Sequence, residues 1–265
     1  MLKVRTMTAL ALLAPFLAAL FYLPEPYWGL LVLAVTVLAS LEWSRFCGYP
    51  RIAALAYGAG TGALGAALLW WPAGSAVQAP LPWLLTATVF WVLLVPVWLA
   101  LRWQLKNPVV LWMVGWIVLI PTAFALVLMR GVSSLAVLSV LALVWIADSA
   151  AYFAGRAWGR RKLAPAISPG KTWEGVIGAL AGITVYGLAL SHFASMSLWI
   201  VPGFWALTAL SIVGDLFESF MKRQAGRKDS GGLLPGHGGI LDRIDSLTST
   251  LPVAALFMLY AQAQI

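Results

Sequence analysis

The chain is poor in charge, in histidine and in cysteine. Among its 265 residues there are 9 Asp or Glu, 2 His and 1 Cys, and charged residues make up 10% against 62% apolar. A lone cysteine, Cys47, can close no internal disulfide and build no cysteine metal site; beside a helix end it reads as inert packing. The alternating pattern of barrel strands is missing as well, which leaves a helical bundle as the way to satisfy backbone polar groups in a bilayer. No basic groove interleaved with aromatics and no nucleic-acid motif occurs. The net charge of +8 therefore reports cytoplasmic loops and anionic headgroups rather than a nucleic-acid partner. No internal repeat of the kind built into secondary transporters is visible.

What is present is a series of apolar runs, each near the ~20 residues a membrane-crossing helix needs. Nine spans fit, over about 7–23, 27–41, 52–71, 81–101, 109–129, 132–153, 173–192, 198–221 and 244–261, with Pro121 expected to kink the fifth. The fold expected is an all-α polytopic membrane protein. Basic residues orient it: Lys3, Arg5, Arg45, Arg51, Arg102, Lys106, Arg156, Arg160, Arg161, Lys162, Lys171, Lys222, Arg223, Arg227, Lys228 and Arg243 fall on one side, and only Arg130 on the other. That bias puts the N-terminus in the cytoplasm and the C-terminus outside, with Arg130 snorkelling to headgroups. Residues 1–130 read as lipid-facing scaffold and 131–265 as the catalytic region of one integrated bundle.

The exception to the apolar pattern is a polar stretch from Asp215 to Asp245, which holds 10 of the 26 charged residues and 6 of the 24 glycines. Ionisable groups beside a bilayer mark function by default. Asp215, Glu218 and Lys222 share one face of the eighth helix; the last two could also pair as a solvated helix end. Asp242 and Asp245 share a face at the start of the ninth. With Asp215 they form an oxygen-rich set suited to Mg²⁺, which commonly keeps substrate phosphates as further ligands. The alternative for Asp242 is a helix cap, with Asp245 in a dipole contact. The intervening loop, rich in glycine and flanked by Lys222, Arg223, Arg227 and Lys228, reads as a polyphosphate cradle or as a mobile solvated loop.

A second polar cluster runs from Asp148 to Glu174. Asp148, Tyr152 and Arg156 lie on one helical stripe. Gly170-Lys171-Thr172 imitates the end of a P-loop, but Pro165 stands where the first glycine of that motif belongs. What remains is Ser168, Lys171 and Thr172 at the start of a helix, where Ser168 or Thr172 can cap and an anion can sit.

Together these clusters resemble the phosphatidate cytidylyltransferase (CDP-diacylglycerol synthase) family. The likeness rests on Ser219-Phe-Met-Lys222-Arg223, then Lys228-Asp229 through Pro235-Gly-His237-Gly238-Gly239 to Asp242-Arg243-Ile-Asp245, and on Asp148 through Arg156 with Ser168-Pro-Gly-Lys171-Thr172-Trp-Glu174-Gly175. It covers mainly residues 145–250. The resemblance implies an enzyme of the bacterial inner membrane, commonly a homodimer, that converts CTP and phosphatidic acid to CDP-diacylglycerol and pyrophosphate at the cytoplasmic face. Mg²⁺ is implied as cofactor, in a centre that can include K⁺. It further implies catalytic roles for Asp215, Lys222, Asp242 and Asp245, with Asp215, Asp242 and Asp245 at the metal. Substrate binding would fall to Asp148, Tyr152, Arg156, Ser168, Lys171, Thr172, Glu174, Ser219, Arg223, Lys228, Asp229, His237, Gly238, Gly239 and Arg243. A CTP-dependent lipid kinase or a secondary transporter are the competing classes.

Overall fold

The computed structural model describes residues 13–70, 81–233 and 238–262. Among them nine helices follow in order: α1 (described over Leu13–Tyr22), α2 (Glu25–Trp43), α3 (Arg51–Leu69), α4 (Leu81–Leu101), α5 (Pro108–Val132), α6 (Ser134–Trp158), α7 (Trp173–Phe193), α8 (Ile200–Gln224) and α9 (Leu241–Gln262). Eight of them, α2 to α9, are long and apolar enough to cross a membrane. These match the expected spans in order and within a few residues. The start of the first expected span and the tip of the polar loop, His237 included, lie outside the described residues.

Between α6 and α7 the structure adds what the sequence reading lacked, a two-stranded antiparallel hairpin. Strand β1 (Lys162–Ala164) pairs with β2 (Ser168–Thr172), with Lys162 opposite Thr172 and Ala164 opposite Ser168. Its turn has Pro165 in second position and closes through Ile167 N–H donating to the Ala164 carbonyl at 3.1 Å, a place that suits the fixed φ of proline. Ile167 is buried and anchors the hairpin to the helices.

Prolines leave carbonyls without donors, and at Pro252 the bundle supplies a replacement. Pro252 removes the N–H that would serve Thr248; the hydroxyl of Thr122 reaches that carbonyl at 3.3 Å instead. Pro121 lies within a helix that continues on both sides of it. In α4, Pro96 follows a π-turn over Phe90–Leu94 in which Val95 N–H bonds back to the Phe90 carbonyl. This turn sits where Phe90 and Trp91 point inward. Together with Trp43 and Trp98 they surround Phe217 of α8, at ring-centroid separations of 5.5 to 6.5 Å. The cage holds α8 by its middle, between Asp215 and Glu218, so aromatic packing sets where those carboxylates stand.

At the far end, Arg130 does not reach for headgroups. Its guanidinium donates to the carbonyls of Leu20 (2.9 Å) and Leu23 and lies over the Trp28 ring at 5.1 Å. It shares the Leu20 carbonyl, near the end of α1, with the Ser134 hydroxyl (2.9 Å) and takes the Leu23 carbonyl just beyond the helix. The opposite end gathers the basic connections, for Leu105 and Gln224 exchange two hydrogen bonds and Arg45 donates to the Ser230 carbonyl.

Candidate active site

Helices α6 and α7 approach closely because small residues face one another. A Cβ on Gly178 would overlap that of Ala154, and one on Gly175 would come within 3.0 Å of the Ala151 carbonyl oxygen. Thr172 ends β2 and caps α7, its hydroxyl accepting from Gly175 N–H at 3.1 Å. Of the two capping candidates, Thr172 is thus the one used. The hairpin is thereby swung over the end of α6, opposite α8.

The result is a cleft of about 460 Å³ whose wall includes Asp148, Tyr152, Arg156, Ser168, Lys171, Thr172 and Asp215. Lys171 Nζ lies 2.6 Å from Asp215 Oδ2, and Ser219 donates to Asp215 Oδ1 at 3.2 Å. Arg156 donates to the Tyr152 hydroxyl at 3.0 Å, both being exposed at the cleft mouth. Cations and carboxylates therefore alternate across one opening. Residues from three elements, α6, β2 and α8, meet there across 68 positions of sequence. Glu174 turns away instead; its carboxylate accepts the backbone N–H groups of Arg160 and Arg161 at 3.1 and 3.2 Å and so fixes the start of the hairpin.

Asp245 joins from α9. Gly214, next to Asp215, presses against that helix: a Cβ there would stand 2.7 Å from the Asp245 carbonyl oxygen. Asp245 and Asp148 both stand within electrostatic reach of the Asp215 carboxylate. Asp242 faces elsewhere. Its Oδ1 pairs with Lys222 at 2.7 Å, while Oδ2 accepts Ser230 N–H (3.0 Å), Ser230 Oγ–H (2.9 Å) and Gly239 N–H (2.8 Å). Lys222 also holds Glu218 Oε1 at 3.2 Å, with all three side chains largely withdrawn from solvent. The Glu218–Lys222 pair is a buried ion pair and no solvated helix end.

Gly238 and Gly239 form no open anion nest. Gly239 N–H is spent on Asp242, and Gly238, at φ +80°, is where a side chain would be strained and would crowd Asp242 Oδ2 at 2.6 Å. Arg223, Lys228, Asp229 and Arg243 are exposed around this knot.

For a divalent cation, the fit rests on Asp215 and Asp245. Among the described residues no three His, Cys, Asp or Glu side chains are grouped as metal ligands. Two neighbouring carboxylates, with Lys171 the counter-charge on Asp215, still suit Mg²⁺, which takes one or two carboxylates and completes its shell with phosphate oxygen and water. Asp242, with both oxygens engaged, serves the loop.

Comparison with known proteins decides the family. A model of the cytidylyltransferase family matches residues 3–261. The chain belongs to that family. A phosphatidate cytidylyltransferase of Pseudomonas aeruginosa is 42% identical over 97% of both chains. One from Haemophilus influenzae is 37% identical over 98% of this chain and 99% of its own, and one from Brucella suis is 44% identical over 51% and 52%. As a cytidylyltransferase family member spanning nearly the full length of the first two, the chain is an integral membrane enzyme.

One residue of this cytidylyltransferase site escaped the sequence reading. Glu42, at the end of α2, is buried against the polar loop: its Oε2 accepts Ser230 Oγ–H at 3.1 Å and Leu241 N–H at 3.0 Å. Its one signal was a carboxylate standing alone at the end of an apolar span.

Proposed function

We propose that this enzyme is a phosphatidate cytidylyltransferase, acting at the cytoplasmic face of the bacterial inner membrane to make CDP-diacylglycerol. The observation that carries the reading is the cleft itself, where Arg156 and Lys171 stand among Asp148 and Asp215 at the basic end of the bundle. Full-length similarity to bacterial enzymes of that name supports it.

A phosphate oxygen of phosphatidic acid attacks the α-phosphorus of CTP. The bond from that phosphorus to the bridging oxygen breaks, and pyrophosphate leaves with the electron pair. The attacking phosphomonoester has its second pKa near ~6 and is already ionised at neutral pH, so no strong base is required. Positioning and charge neutralisation then account for the rate. Arg156 and Lys171 bind phosphate oxygens, and Ser168 offers a hydroxyl beside them. Thr172 holds the hairpin that presents Lys171. Exposed Arg223 and Lys228 draw the polyphosphate toward the membrane surface. Lys222, buried between Glu218 and Asp242, orients the pair of helices rather than meeting substrate.

Mg²⁺ held by Asp215 and Asp245 would neutralise charge on the CTP phosphates. A K⁺ ion and a homodimer belong to the same proposal through the family resemblance. A cleft at headgroup depth lets a water-soluble nucleotide meet an anchored lipid.

Purified protein given CTP labelled at the α-phosphorus, Mg²⁺ and phosphatidic acid should carry label into the lipid fraction. Label entering from the γ-phosphorus instead would mean a lipid kinase, and label from neither position would sink both.

A further inference from the structure

Glu42 comes from the half of the chain that lacks the polar clusters, yet it lies at the root of the loop between α8 and α9. It is 1% exposed. One oxygen takes Leu241 N–H and the Ser230 hydroxyl; the other, Oε1, has no partner among the described residues. The space around it is made by glycines, since a Cβ on Gly231 or on Gly239 would overlap the carboxylate. Ser230, fully buried, stands 3.1 Å from Glu42 and 2.9 Å from Asp242, so its one hydroxyl proton is shared between two carboxylates 200 positions apart in sequence. Arg45, three residues on, donates to the Ser230 carbonyl at 3.3 Å.

Burying a carboxylate with one oxygen unbonded is unfavourable for stability alone. An apolar side chain would end α2 at lower cost. Directional hydrogen bonds to the other oxygen do something an apolar contact does not, which is to select one arrangement of the groups they join.

We propose that Glu42 is a positioning residue of the transferase. Its carboxylate clamps both ends of the loop, at Ser230–Gly231 and at Gly239–Leu241, and thereby holds Asp242, Lys222 and the first turn of α9, with Asp245, in register with the cleft. The kinetic part of this inference rests on the function proposed above; the structural part does not.

The two parts are read separately. Arg227 and Lys228 are exposed in the loop, so limited trypsinolysis of the full-length protein in detergent, without substrate, reports the clamp. Glu42→Ala should speed cleavage there about 10-fold, as expected when a locally closed segment opens more often. It should lower kcat by about 10²-fold, the cost of ångström-scale misplacement, with the KM for CTP unchanged. Glu42→Gln keeps the shape and an acceptor for Leu241 N–H, and should restore both slow cleavage and turnover. Gly231→Ala should be damaging in the wild type and add nothing in Glu42→Ala, because the atoms it collides with are gone.

Unchanged cleavage and unchanged kcat in Glu42→Ala would overturn the proposal. So would a folded Glu42→Gln as inactive as the alanine variant, which would mean that the charge itself acts. Should Glu42→Ala fail to fold, Ser230→Ala carries the test, and its equality with wild type in cleavage and kcat would equally refute the clamp. If cleavage follows these expectations while wild-type protein transfers no α-label, the clamp stands and the assigned reaction is what fails.

Discussion

At the scale of single residues, the same side-chain types do opposite work according to what surrounds them. Lys171 and Asp215 pair where solvent still reaches, at 23% and 30% side-chain exposure, which leaves them free to exchange partners with a phosphate or a cation. Lys222, Glu218 and Asp242 pair where it does not. Asp215→Asn should therefore cost about 10²-fold or more in turnover, on the scale of losing one preorganised electrostatic group, with little change in thermal stability. Turnover in the variant at several Mg²⁺ concentrations checks this; untouched activity at low Mg²⁺ would reject the assigned cation site. Lys222→Met should instead unfold the protein more easily, by about 3 kcal/mol, because two carboxylates lose their common counter-ion; thermal unfolding in detergent measures it. Cys47 illustrates a quiet residue: burial pushes its thiol up to about 12. A raised pKa leaves little thiolate at pH 8, so a maleimide should label it only slowly before denaturation, and labelling rate should climb with pH well past the usual thiol range.

At the scale of elements, the site is made by a hairpin, a helix crossing and a loop. Thr172 joins the first two, ending β2 and capping α7 in one side chain. Thr172→Ala should lower stability by about 1 kcal/mol and reduce turnover more than that loss explains, since Lys171 would no longer be held over the cleft. Thr172→Ser should recover both, and comparing unfolding midpoints with kcat for the pair decides it. The hairpin was not legible beforehand for a simple reason. Two strands of three and five residues, containing Pro169 and Gly170, carry no period-two signal, and their strand character comes from pairing with each other.

On the scale of the whole molecule, charge and hydrocarbon divide the work. All the hydrogen bonds and ion pairs that build the cleft and the loop knot lie at the end where the basic connections gather. If that end is cytoplasmic, a reporter fused after the last helix should read out on the opposite side, and a cytoplasmic signal from such a fusion would reverse the orientation proposed here.

By itself the sequence determined the order and extent of the eight described helices long enough to cross a membrane, because a run of some twenty apolar residues has one stable form in a bilayer. It also marked two polar stretches as candidates for the chemistry, because ionisable groups in so apolar a chain are costly to keep. Which of those groups face one another was decided only by the fold. Spacing along a helix put Asp242 beside Asp245, yet the approach of α8 and α9 at Gly214 brought Asp245 within electrostatic reach of Asp215, and the returning loop engaged both oxygens of Asp242 together with Lys222. Glu42 could be known only when α2 was packed, since its partners lie almost 200 positions away and no local pattern links them.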